Sequence, residues 1–165
     1  IKGEHIVELN FAKQSVNVDG ALITGKIDKI IEGEDKSWSV VDLKTGKGFS
    51  DWEEEKLSAY EEIKLHHYRY QLMMYKILVE NSRDYDSYKV IDGTLEFVEE
   101  EVGGNIQELK LSFDNNLDGE IRRFKKLMVA VYNKITSLEF PDTSKYEETL
   151  DVIKEFEEDL IAGVI

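Results

Sequence analysis

A chain of 165 residues has room for one hydrophobic core, and 41% apolar with 34% charged residues reads as a single soluble globular domain over 1–165. No apolar run approaches the roughly 20 residues that span a bilayer, and the absence of cysteine excludes disulfides, thiolate metal sites and iron–sulfur clusters, which fits a cytoplasmic setting. The net charge of −14, from 21 basic and 35 acidic residues, counts against a free-standing nucleic-acid-binding module, whose phosphate contacts draw on a basic surface. A local basic channel, or affinity supplied by neighbouring domains, stays compatible with it. The chain opens on Ile1 instead of Met, which is read as the start of a piece of a longer protein.

His5–Phe11 alternates as a strand does. Asn17-Val18-Asp19-Gly20 reads as a turn, Ala21–Ile31 as a longer strand, and Gly33–Lys36 as a second turn. Trp38–Lys44 is apolar and β-branched enough for a buried strand, completing a three-stranded antiparallel meander. From Ala59 to Glu80 the spacing turns helical, with Ile63, His67, Gln71, Met74, Tyr75 and Leu78 along one side. Tyr88–Val98 and Ile106–Phe113 return to strand character around the turn at Gly103-Gly104. Asp114 or Asn115 is placed to cap a helix whose apolar stripe is Ile121, Phe124, Met128, Val131, Ile135 and Leu138. After Pro141, Ser144 is placed to cap a last helix bearing Leu150, Ile153, Phe156 and Leu160. The fold class is α/β, with a central mixed sheet flanked by helices.

The chemistry concentrates in Gly25-Lys26-Ile27-Asp28-Lys29-Ile30 and Val40-Val41-Asp42-Leu43-Lys44-Thr45-Gly46. Side chains alternate faces along a strand, so Asp42 and Lys44 share a side, and hairpin pairing brings Asp28 beside Asp42. Paired carboxylates repel unless a cation lies between them, and a hard divalent ion with oxygen ligands suits that gap. The Leu43 backbone carbonyl is near enough to be a third ligand. Such an ion polarises a phosphoryl oxygen and acidifies bound water, while Lys44 orients the water or neutralises developing charge. An isolated Asp-x-Lys is usually a solvated strand edge; here Val40, Val41 and Leu43 imply burial, where an unpaired charge is costly.

Gly25-x-Ile27-Asp28-x-Ile30, then Val41–Gly46, then Gln71-x-x-x-Tyr75 resembles the PD-(D/E)XK nuclease superfamily, and more narrowly the RecB/AddB-like nuclease domains joined to UvrD/Rep-type helicases in DNA repair and recombination. The three motifs occur in the family's order over roughly residues 20–80. The resemblance implies a restriction-endonuclease-like core, its first helix absent from this piece, and a Mg2+- or Mn2+-dependent DNA nuclease, an exonuclease by its narrower likeness. It makes Asp28 and Asp42 metal ligands, Lys44 the catalytic lysine, and Gln71 and Tyr75 side chains that position DNA or the catalytic groups. It further implies DNA and helicase domains as partners. The alternative is a catalytically inactive nuclease-like module for DNA handling or inter-domain contacts.

Other residues are open to two readings. Tyr75 also suits a core aromatic, and Thr45 either a phosphate contact or a turn. The family's further metal-binding histidine lies well upstream of its first acid; His5 is only 23 residues before Asp28 and reads first as a surface histidine, and Glu8 as solvent-facing or structural. His66 and His67 read as helix surface plus one packed ring. Arg122, Arg123, Lys125 and Lys126 read as a solvated helix face, with Lys26, Lys29 and Lys47 the better placed for local DNA contact.

Overall fold

The computed structural model describes residues 5–165. Strands β1 (His5–Asn10), β4 (Lys26–Glu32), β5 (Ser37–Lys44), β6 (Lys89–Val102) and β7 (Asn105–Ser112) form one sheet in the order β1-β4-β5-β6-β7. The first three are antiparallel neighbours, as the meander requires, and β5 pairs with β6 in parallel. Parallel pairing needs a crossover. Helix α1 (Ala59–Glu80) supplies it and lies over the sheet, while α2 (Asp118–Ser137) and α3 (Leu150–Ala162) pack beyond it. This α/β arrangement, a mixed sheet flanked by helices, is restriction-endonuclease-like.

The stretch Ala21–Ile31 is not one strand. β3 (Ala21–Ile23) leaves the sheet to pair with β2 (Val16–Val18) in a separate ribbon, and the chain breaks at Thr24–Gly25 before β4 begins. Asp19 and Gly20 both have positive φ, at 49° and 92°, which is the two-residue turn that joins twisted strands without splaying them. At Gly25, Leu78 of α1 comes so near that an added Cβ would lie 2.8 Å from its Cδ1. The glycine thus permits close helix–sheet contact where periodicity alone suggests an uninterrupted strand.

Two helix starts differ from expectation. Asp114 caps a short 3-10 turn (Asn115–Leu117), after which α2 begins at Asp118. The last helix begins at Leu150 under a Thr149 cap, while Ser144 donates its backbone N–H to Asp142 in the preceding loop. The α2 stripe also divides. Ile121, Phe124 and Met128 are buried, but exposure climbs through Val131 (38%), Ile135 (54%) and Leu138 (76%), because the helix extends past the core it packs on.

The core runs on both sides of α1: Leu65, Leu72, Met73, Tyr75, Ile77, Leu78 and Val79 are all buried. His67, expected on the packed side, is exposed. Its Ser58 N-cap and Glu61 make a reciprocal capping box, which fixes where the helix starts. Among the described residues, no helix is long and apolar enough to cross a membrane.

Candidate active site

Strand register sets the two acids together. Lys29 pairs with Val41 and Ile30 with Val40, so one further step aligns Asp28 with Asp42 on the face that α1 covers. The Leu43 backbone N–H donates to Asp28 Oδ2 at 3.0 Å. That is the contact the structure shows for Leu43, whose side chain is 46% exposed and not buried as its apolar neighbours suggest. Leu43 alternates away from the helix-covered face, and the far side of the sheet is open at this strand end.

Asp42 is 2% exposed, and helix α1 reaches it with two side chains. Tyr75 donates its hydroxyl to Asp42 Oδ1 at 2.5 Å, and Gln71 Nε2 donates to the same oxygen at 3.0 Å. Lys44 Nζ donates to Gln71 Oε1 at 2.5 Å and lies 2.5 Å from Asp42 Oδ2. The second contact is an ion pair without hydrogen-bond direction, which leaves buried Oδ2 with no hydrogen-bond partner. Asp28, Asp42, Lys44, Gln71 and Tyr75 are thereby gathered in one place by β4, β5 and α1.

Burial raises the Asp42 carboxyl above the usual aspartate range; Lys44 and Tyr75 oppose that shift and the charge of Asp28 adds to it. Burial and the Asp42 carboxylate push the Tyr75 hydroxyl far above its ordinary value, so it stays a donor. A buried carboxylate oxygen without a hydrogen bond, next to a second carboxylate, fits a hard divalent cation, which takes oxygen ligands and often only one or two carboxylates from the protein. Among the described residues no group of three or more His, Asp or Glu side chains converges on such a position.

One contributor was not foreseen. Tyr68 places its ring 4.4 Å from Lys44 Nζ, on the third flank of the ammonium after Asp42 and Gln71. The signal available was its position one turn before Gln71 on the same helix. The ring also meets Phe49 edge-on.

The remaining candidates lie elsewhere. His5 is exposed on β1, and the ladder sets Glu8 opposite Asp28, but Glu8 has φ 56° and its side chain turns to Lys26 at 3.2 Å. Lys29 pairs with Glu96 at 2.8 Å and Lys47 with Glu61 at 2.7 Å, so each lysine proposed for DNA contact is matched by a glutamate. Thr45 is exposed. His66 packs against Tyr70 and contacts Glu157, a buried acid that Tyr70 and Arg123 also hold. Arg122 and Lys126 are exposed on α2.

The family model of the PD-(D/E)XK nuclease superfamily matches residues 3–150. The chain belongs to that superfamily. Asp28, Asp42, Lys44, Gln71 and Tyr75 all lie within the matched residues. Comparison with curated proteins gives no match. Among solved structures, one titled "Crystal structure of SSO0001" aligns at 18% identity with a TM-score of 0.37, over 86% of this chain and 60% of the other. The present chain therefore spans less than two thirds of that protein's length.

Proposed function

We propose that the chain is a magnesium-dependent DNA nuclease domain that hydrolyses phosphodiester bonds, an exonuclease of the RecB/AddB-like kind that works in the cytoplasm with helicase domains in DNA repair and recombination. The observation that carries the hydrolytic part is the state of Asp42: one oxygen held by Gln71 and Tyr75, the other buried without a hydrogen bond beside Lys44.

Asp28 and Asp42, with the Leu43 carbonyl, would hold the ion. When bound, a divalent ion there supplies Lewis-acid polarisation of a phosphoryl oxygen. Tyr75 and Gln71 fix the Asp42 carboxylate so that it does not reorganise as substrate arrives. Gln71 and the Tyr68 ring hold Lys44 as a localised positive charge, which stabilises negative charge building on the phosphoryl oxygens. The Leu43 N–H bond keeps Asp28 oriented to the same face.

End-labelled DNA incubated with Mg2+, and with Mg2+ replaced by chelator, tests this reading. Cleavage that needs the ion and falls at least a hundredfold in both Asp42→Asn and Lys44→Ala is expected, the scale lost when one preorganised charge-stabilising group is removed. Wild-type cleavage rates in the two variants would overturn the assignment. No cleavage by the wild-type chain, with DNA binding retained, would instead support a nuclease fold kept for DNA handling.

A further inference from the structure

Helix α1 carries more toward the site than Gln71 and Tyr75. At 3.6 residues per turn, Tyr60, Lys64, Tyr68, Gln71 and Tyr75 fall within an arc of about 80°. The row begins at Tyr60, 72% exposed on the first turn, and ends at buried Tyr75. Lys64 Nζ stands 5.9 Å from the Tyr60 ring centroid and 5.8 Å from that of Tyr68, and Lys44 Nζ stands 4.4 Å from Tyr68. Aromatic ring and ammonium thus alternate from solvent to the Asp42 carboxylate.

The charge on this row is available. Among the described residues Lys64 has no ion-pair partner. The neighbouring acid Glu61 is already engaged by Lys47 and, secondarily, by the Ser58 backbone, which hold its carboxyl down at about 2. Glu62 lies on the other flank of the helix, where it lines a separate surface cleft with His66 and Arg69. This contrasts with Lys26, Lys29 and Lys47, each matched by a glutamate. An exposed ring has a face for any unstacked base, and an unpaired ammonium one step inward takes the adjoining phosphate. Duplex DNA keeps its bases stacked and offers a ring like Tyr60 nothing to stack on.

We propose that Tyr60 and Lys64 form an entry track for single-stranded nucleic acid, a base stacking on Tyr60 and a phosphate on Lys64, that delivers the strand to Lys44. The track rests on the nuclease reading for its purpose but can be measured without cleavage.

The test is anisotropy of labelled oligo-dT, oligo-rU and duplex DNA, each of about twelve nucleotides, within the range of single-strand site sizes, bound to the full chain in chelator. Tyr60→Ala is expected to weaken oligo-dT binding about tenfold, the lower part of the range for one base–aromatic stack, while Tyr60→Phe retains it. Lys64→Ala should lower the slope of log affinity against log salt by about 0.7, as loss of one phosphate contact on a single strand does. Duplex binding should be indifferent to Tyr60→Ala. The oligo-rU arm assigns the strand as DNA or RNA. Unchanged oligo-dT affinity in Tyr60→Ala, or an equal loss for duplex, overturns the track. With Mg2+, Tyr60→Ala should raise KM and spare kcat. Tyr60-dependent binding by a wild-type chain that does not cleave would sink the nuclease reading alone, and cleavage with a KM indifferent to both variants would sink the track alone.

Discussion

The Leu43 backbone N–H donates to Asp28 Oδ2, so the strand that carries the second acid also holds the first. Asp28 is thus positioned through a peptide group that substitution of Leu43 leaves in place. Mn2+ titration of the wild type should show saturable binding, at least tenfold weaker in Asp28→Asn, whereas Leu43→Ala, which removes only an exposed side chain, should bind as wild type. Equal affinity for Asp28→Asn would remove Asp28 from the ligand set.

Asp42 trades stability for a charged site. Its folded pKa is raised above 3.8 chiefly by burial, so the fold favours the protonated form. That contribution is fully present below the unfolded value and is lost as pH rises through the folded one. At neutral pH the ionised carboxylate therefore costs stability. In chelator, Asp42→Asn removes this pH dependence, so wild-type stability measured against the variant should rise as pH falls toward the acid range. Melting temperatures across a pH series check it: a difference between wild type and Asp42→Asn that does not move with pH contradicts the account.

Tyr68 should matter through its ring. Tyr68→Phe keeps the face toward Lys44 and the contact with Phe49, whereas Tyr68→Leu removes the first. A desolvated cation–π contact of about 1–2 kcal/mol corresponds to a kcat loss of roughly five- to thirtyfold for Leu, with Phe near wild type. Comparable losses in the two variants would point to the hydroxyl instead.

Packing behind the site is tight at Gly93, where an added Cβ would meet three Leu72 carbons at 3.1–3.3 Å. Leu72 is fully buried and adjoins Gln71. Gly93→Ala should cost about 1–3 kcal/mol by overpacking and lower cleavage by shifting α1, and Leu72→Val in the same chain should restore part of both. Denaturant melts and cleavage rates of the single and double variants decide it.

Glu157 fastens α3 to the other two helices through His66, Tyr70 and Arg123. Its carboxyl is lowered below 4.5: burial opposes this, but the bonds from His66 and Tyr70 outweigh it together with the charges around it. The stability it adds is present above the unfolded value and lost as pH falls through the folded one. Glu157→Ala should cost about 2–3 kcal/mol at neutral pH, because Arg123 and Tyr70 lose a buried partner. Wild-type hydrogen exchange in α3 of that variant would show the network to be dispensable.

The sequence by itself determined the contents of each element. Period-two alternation put Asp42 and Lys44 on one side of β5, the hairpin brought Asp28 to the same side, and a four-residue interval put Gln71 and Tyr75 on one helical face. The meander, the long first helix and the mixed sheet were legible for the same reason, since periodicity is a local property of the chain. Only the tertiary structure decided what covers each face. It set α1 over Asp42, joining Lys44 to Gln71 across 27 positions and Asp42 to Tyr75 across 33. It left Leu43, Val131 and Ile135 in solvent although their spacing matches that of buried neighbours. It broke Ala21–Ile31 where Leu78 meets Gly25, and it brought Tyr68 to Lys44. An apolar side is written in the sequence; the partner that buries it depends on contacts between distant segments, which no local pattern records.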